Sequence, residues 1–132
     1  LALFDPTTGA IVDVESGVPA LPAQRIPGHN AISYVRIDSA GARHEIRRLD
    51  LATGARTTVA PTLVGRTAHA WVPGKGTILM AKGSTLWAWR VGRDSAWRAV
   101  ATFADPDLRH ASAYVVSPGG TRLVLTSPKR LP

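Results

Sequence analysis

Ala70-Trp71-Val72-Pro73-Gly74-Lys75-Gly76-Thr77-Ile78-Leu79 and Tyr114-Val115-Val116-Ser117-Pro118-Gly119-Gly120-Thr121-Arg122-Leu123-Val124 are two copies of one pattern. Each reads as an apolar run, a Pro-Gly turn and a second apolar run, and the Pro-Gly pair moves forward by 45 residues from one copy to the next. A second pattern is interleaved with the first. Asp5-Pro6-Thr7-Thr8-Gly9 returns 45 residues later as Asp50-Leu51-Ala52-Thr53-Gly54. Each copy follows an apolar run (Leu1 to Phe4; Ile46 to Leu49) and precedes another (Ala10 to Val14; Ala55 to Ala60). Asp accepts hydrogen bonds from nearby backbone amides and Gly takes a positive φ, so Asp-x-x-Thr-Gly suits a hairpin turn. Two different hairpins alternating with a period near 45 make a repeating four-stranded unit.

The rest of the chain agrees with strands. Ten Pro and 12 Gly punctuate it, and no long stretch carries the apolar spacing of a helix. Short runs rich in Val, Ile, Leu, Thr, Trp and Tyr lie between the turn signals. Counted outward from the repeats, Leu1–Phe4 and Ile11–Glu15 form the second half of a first unit. Ala31–Ile37, His44–Leu49 and Ala55–Ala60 belong to a second unit, whose first strand falls within Gln24–Asn30. Ala68–Val72, Thr77–Ala81, Thr85–Val91 and Trp97–Phe103 make a complete third. Ser112–Val116 and Arg122–Thr126 open a fourth. The expectation is a single all-β domain over residues 1–132, with units at 1–17, 24–60, 68–104 and 111–127.

Val116-Ser117-Pro118-Gly119-Gly120-Thr121-Arg122-Leu123-Val124 resembles the Ser-Pro-Asp-Gly strand–turn–strand core of WD-like repeats of the TolB type. Glu45-Ile46-Arg47-Arg48-Leu49-Asp50-Leu51-Ala52-Thr53-Gly54 resembles the strand and turn that follow it there. The resemblance covers most of residues 31–127 and, more faintly, 1–17. Departures are Gly119 where the family has Asp, the absence of Ser before Pro73, and the absence of a Trp-Asp dipeptide. The resemblance implies a β-propeller-like fold of antiparallel four-stranded blades, about three of them, in an incomplete ring. It also implies a periplasmic or otherwise extracytoplasmic setting. Three blades are one short of the smallest typical ring. The chain begins with the last two strands of one blade and ends with the first two of another. Three closures are open: within one chain, between two chains as a six-bladed homodimer, or against a larger protein that covers the edges. Docking on a larger protein ranks first.

Composition narrows function by exclusion. The 132 residues are 45% apolar and 19% charged, which fits a folded chain rather than a disordered one. There is no Cys, so disulfide frameworks and Cys-ligated metal centres are excluded. No apolar run reaches the length of a membrane-spanning helix. The chain opens Leu1-Ala2-Leu3-Phe4 with neither an initiator Met nor a visible signal peptide, which reads as a processed or truncated product or the ordered part of something longer. Lys and Arg number 16 against 9 Asp and Glu, giving a net charge of +7. Such a balance favours an acidic partner surface, anionic headgroups or nucleic acid.

No catalytic constellation emerges. Asp107, His110 and Ser112 are neighbours in sequence, but strand alternation sends them to different faces. His44-Glu45 starts like a zinc-protease motif, yet Arg48 stands where its second His must be. Gly74-Lys75-Gly76-Thr77 mimics the end of a phosphate loop, but His69 occupies the place of its first Gly and a strand follows. His29, His69 and His110 recur near unit starts, where a structural bond to a neighbouring strand is the favoured role. We therefore expect no catalytic residue, no metal and no cofactor.

Candidate contact residues are of two kinds. Trp87 and Trp89 alternate with small residues on one strand, which favours core packing between units. The competing reading is an exposed patch of Trp87, Trp89, Arg90, Arg93, Trp97 and Arg98, residue types enriched at interface hot spots. Arg43, Arg47 and Arg56 can share one edge of the second unit, where a solvated face is the favoured reading and contact with an acidic partner the competing one. Nucleic acid is disfavoured, since the basic residues form no dense run or known motif. The functional expectation is a non-enzymatic module for protein binding or complex assembly, an accessory subunit of a larger complex, with membrane-associated complexes among the candidates. The alternatives are a fragment of a larger propeller-containing protein, such as the propeller domain of a hydrolase, and a nucleic-acid binder.

Overall fold

A computed structural model describes residues 1–18, 23–37, 43–63, 68–102 and 113–126. Asp107, His110 and Ser112 lie outside the described residues, as does the end of the strand expected to reach Phe103. Among the described residues there are twelve strands and no helix. They form four antiparallel sheets in chain order. Sheet I holds β1 (Ala2–Phe4) and β2 (Ile11–Asp13). Sheet II runs β3 (Gln24–Arg25), β4 (Ala31–Ile37), β5 (His44–Asp50) and β6 (Arg56–Pro61). Sheet III runs β7 (Ala70–Val72), β8 (Thr77–Lys82), β9 (Thr85–Arg90) and β10 (Arg98–Thr102). Sheet IV holds β11 (Ala113–Val116) and β12 (Leu123–Thr126). No closed ring joins them among these residues. The short β3 has a local cause: Pro27 has no amide to extend the ladder, and the chain turns there.

The repeat is written into the strand registers. Ala70 pairs with Leu79 in sheet III, and Val115 pairs with Val124 in sheet IV, each partner moved by 45. Phe4 pairs with Ile11 in sheet I and Leu49 with Arg56 in sheet II, again moved by 45. The Asp-x-x-Thr-Gly turns match atom for atom. Asp5 Oδ1 accepts from the amides of Thr7 and Thr8, and Asp50 Oδ1 from those of Ala52 and Thr53. Gly9 and Gly54 each have φ of 75° and donate to the carbonyl of the turn's Asp at 2.8 Å. These amide bonds hold the carboxyls of Asp5 and Asp50 below the usual range.

Packing follows the strand alternation. One face of sheet II meets one face of sheet III through Ile26, Ala31, Ile46 and Ala60 against Trp71, Ile78, Met80 and Trp89. Ile46, Ile78 and Met80 are fully buried, each burial contributing about 1.5–3 kcal/mol relative to exposure. The opposite face of sheet III carries Ala70, Leu79, Leu86 and Ala88, which pack with Val116 and Leu123 of sheet IV. Sheet I lies against the other face of sheet II, held by polar contacts. Ile37 donates its amide to the Gly17 carbonyl at 2.8 Å. Gly17 has φ of 74°, and a Cβ there would sit 2.6 Å from the Ile37 carbonyl oxygen, so only Gly permits this approach.

Candidate functional site

The two outer sheets differ from the two inner ones at equivalent positions. Phe4 of β1 stands where Leu49 stands in β5, one repeat later. Leu49 is 1% exposed and Phe4 is 63% exposed. Val124 of β12 stands where Leu79 stands in β8, and their exposures are 59% and 9%. Leu3, Ile11 and Val12 add to the apolar surface of sheet I. The outer strand edges are open as well. Among the described residues, β1 pairs only with β2 and β12 only with β11. Uncovered apolar faces beside unpaired strand edges are the features by which a sheet recruits another chain.

None of these residues was singled out in the sequence reading. Their signal is the repeat itself: a large apolar side chain recurs at a position that no described sheet covers. A third copy of the Pro-Gly pattern, Ile26-Pro27-Gly28, also escapes a first reading because the strand before it is so short.

The Trp/Arg set separates into two groups. Trp89 is buried in the seam between sheets II and III, with Trp97 packed beside it. Their rings lie 5.6 Å apart at 57°, a tilted pair, and Trp97 Nε1 donates to the Pro61 carbonyl at 3.0 Å. Trp87 is half-buried on the same strand face, paired with Met80, and its indole N–H is buried without a partner. Trp89 and Trp97 thus belong to the seam between two sheets. Arg90, Arg93 and Arg98 are exposed around the β9–β10 turn. Asp94 pairs with Arg90 at 2.8 Å and with Arg98 at 3.7 Å, and its carboxyl is held below the usual range by the hydrogen bond from Arg90.

Arg47 and Arg56 are occupied within the chain. Glu15, its side chain only 7% exposed, is the hub. It pairs with Arg36 Nε at 2.9 Å and Arg47 Nε at 3.3 Å, and it accepts a hydrogen bond from the Tyr34 hydroxyl. Both Nε–H groups are buried and point past the Glu15 oxygen, so these contacts are ion pairs rather than aligned hydrogen bonds. Glu45 pairs with the Nη1 of both Arg residues at 3.3 Å. Burial, helped by the bond to Glu15, pushes the Tyr34 hydroxyl up to about 12. Arg56 donates to the Val14 carbonyl. Together these groups fasten sheet I to sheet II. Arg43 precedes β5 and is exposed.

One Ser–His contact exists among the described residues. Ser33 Oγ lies 2.7 Å from His69 Nε2, and Trp71 Nε1 donates to the same Oγ at 2.7 Å. Ser33 is 0% exposed and His69 1%, so no substrate reaches them. The indole donates to the Ser33 hydroxyl oxygen, and the Ser33–His69 bond takes its direction from the tautomer of the ring. Burial pushes the His69 pKa down to about 4. This trio ties β4 to the start of sheet III and offers no nucleophile to solvent. Among the described residues, no group of three His, Asp or Glu side chains is placed to hold a metal ion. A cavity of about 420 Å³ opens between the Pro27-Gly28 and Pro73-Gly74 turns, lined by Ile26, His29, Trp71 and Val72. Its walls are apolar side chains and turn backbone with a single titratable group, His29.

No described helix is long and apolar enough to cross a membrane. No protein-family model and no curated protein matches the chain.

Proposed function

We propose that the chain is a propeller-like, non-enzymatic assembly module that binds another protein through its uncovered outer sheets. The single observation that carries this reading is the contrast at repeat-equivalent positions: Leu49 and Leu79 are buried within the inner sheets, while Phe4 and Val124 are bare. A sheet-by-sheet stack with the same register at each step is extended by whatever supplies the next sheet. The propeller-like reading is supported by the period near 45, the two-, four-, four- and two-stranded sheets and their face-to-face packing. The resemblance to TolB-type repeats favours an extracytoplasmic complex as the setting.

The test is capture from native membrane and soluble extracts by the immobilised chain, compared with Phe4→Asp and Val124→Asp variants. Both positions are exposed, so the thermal midpoint should stay within a few degrees of wild type. A partner retained by the wild type and lost by at least one variant is the expected result. Identical partners on all three chains would overturn the reading.

A further inference from the structure

We propose that the partner at these edges is a second copy of the chain, and that β12 of one copy pairs antiparallel with β1 of the other, Leu123 opposite Phe4 and Val124 opposite Leu3. This inference rests on the reading above and names its partner.

The register comes from the sheets that are complete. In sheet II the second strand meets the third with Ile32 opposite Leu49 and Ser33 opposite Arg48. In sheet III, Ile78 meets Trp89 and Leu79 meets Ala88. The Pro27-Gly28 turn precedes Ile32 as Pro73-Gly74 precedes Ile78 and Pro118-Gly119 precedes Leu123, so these three residues are equivalent. Leu49 is equivalent to Phe4 through the matched Asp turns. The pair Ile32–Leu49 therefore maps onto Leu123–Phe4, and Ser33–Arg48 onto Val124–Leu3. Both inner sheets place a large apolar residue, Leu49 or Trp89, opposite the Ile of the second strand and bury it. Leu123 and Phe4 are the two halves of that pair left apart.

The faces agree with the edges. Leu123 already packs on sheet III, so a β1 strand added beside β12 brings its Phe4 to the same side, against sheet III. Val124 and Leu3 then share the opposite side. One pairing thus covers both Phe4 and Val124, the residues exposed at 63% and 59%. It makes a four-stranded sheet with the order seen in sheets II and III. A two-fold arrangement uses both edges of both copies and leaves neither open.

The absence of Cys makes the register directly testable. Leu3→Cys and Val124→Cys chains are prepared separately, mixed in equal amounts and oxidised with diamide. The expected product is a disulfide-linked pair containing one of each chain. Leu3→Cys mixed with Leu123→Cys, one residue out of register and on the opposite face, should give at least tenfold less. Sedimentation of the wild-type chain should show a two-chain mass at micromolar concentration, shifting to one chain for Phe4→Asp. A wild-type chain that stays single at 100-fold higher concentration overturns the proposal, as does a Leu3→Cys/Val124→Cys chain that closes a disulfide on itself. A single chain that still captures a different partner through Phe4 or Val124 overturns this pairing and leaves the assembly reading standing.

Discussion

The seams on either side of sheet II are built from opposite chemistry. The seam with sheet III is apolar: Ile46, Ile78, Met80, Trp71 and Trp89 interlock there, and its one polar trio, Ser33, His69 and Trp71, is neutral and mutually bonded. The seam with sheet I is ionic: Glu15 gathers Tyr34, Arg36 and Arg47, and Glu45 closes the set. Apolar burial scales with the area removed from water and dominates stability. A buried ion pair repays little beyond its own desolvation, yet it fixes geometry because unpaired charges are costly. The seam with sheet III accordingly holds the molecule together, and the seam with sheet I sets where the outer sheet sits.

Three substitutions or conditions sharpen that contrast. Trp71→Ala removes a buried indole and leaves the Ser33 hydroxyl without the indole N–H that it accepts from. It should destabilise the chain by about 3–5 kcal/mol, read by denaturant unfolding. A loss below about 1 kcal/mol would show that the apolar seam is not the main store of stability.

Next in size is the response to acid. The folded-state pKa of His69, about 4, lies below its ordinary 6.5. Between these values the unfolded chain binds the extra proton. Stability is therefore full above pH 6.5 and falls as pH drops toward 4. The loss is on the order of 3 kcal/mol at about 1.4 kcal/mol per unit. His69→Phe should flatten that part of the profile, whatever its stability at pH 7. An unchanged slope would remove His69 as its cause.

The smallest effect is expected at the ionic seam. Glu15→Gln keeps the shape and an acceptor for Tyr34 but removes the charge shared by Arg36 and Arg47, which retain Glu45. The expected global loss is about 1–2 kcal/mol. The sharper readout is local: the Ile37 amide, bonded to Gly17, should exchange faster while amides of β8 stay protected. Equal acceleration in both would mean that the seams are not independent.

Much of this fold was legible in the chain. Proline, glycine and the two interleaved turn motifs act locally, so the hairpins and the period near 45 could be read without a structure. Period-2 alternation foretold that the Trp87/Trp89 strand has one large face. The two-residue β3 was the least visible element, because a strand that short leaves almost no pattern.

What the sequence could not decide was which face of each strand finds a neighbour. Arg47 reads as a free cation for an acidic partner until Glu15, 32 residues earlier, is seen beside it. Alternation favours a core role for Trp89, yet nothing local places Trp97 beside it until the sheet II face arrives. Phe4 and Leu49 occupy the same place in the repeat, and nothing in their local sequence makes one bare and the other buried. Local propensity and turn chemistry are properties of a few consecutive residues, and these the sequence determined by itself. Exposure and ion pairing depend on which sheet comes next in space, and those only the tertiary structure decided.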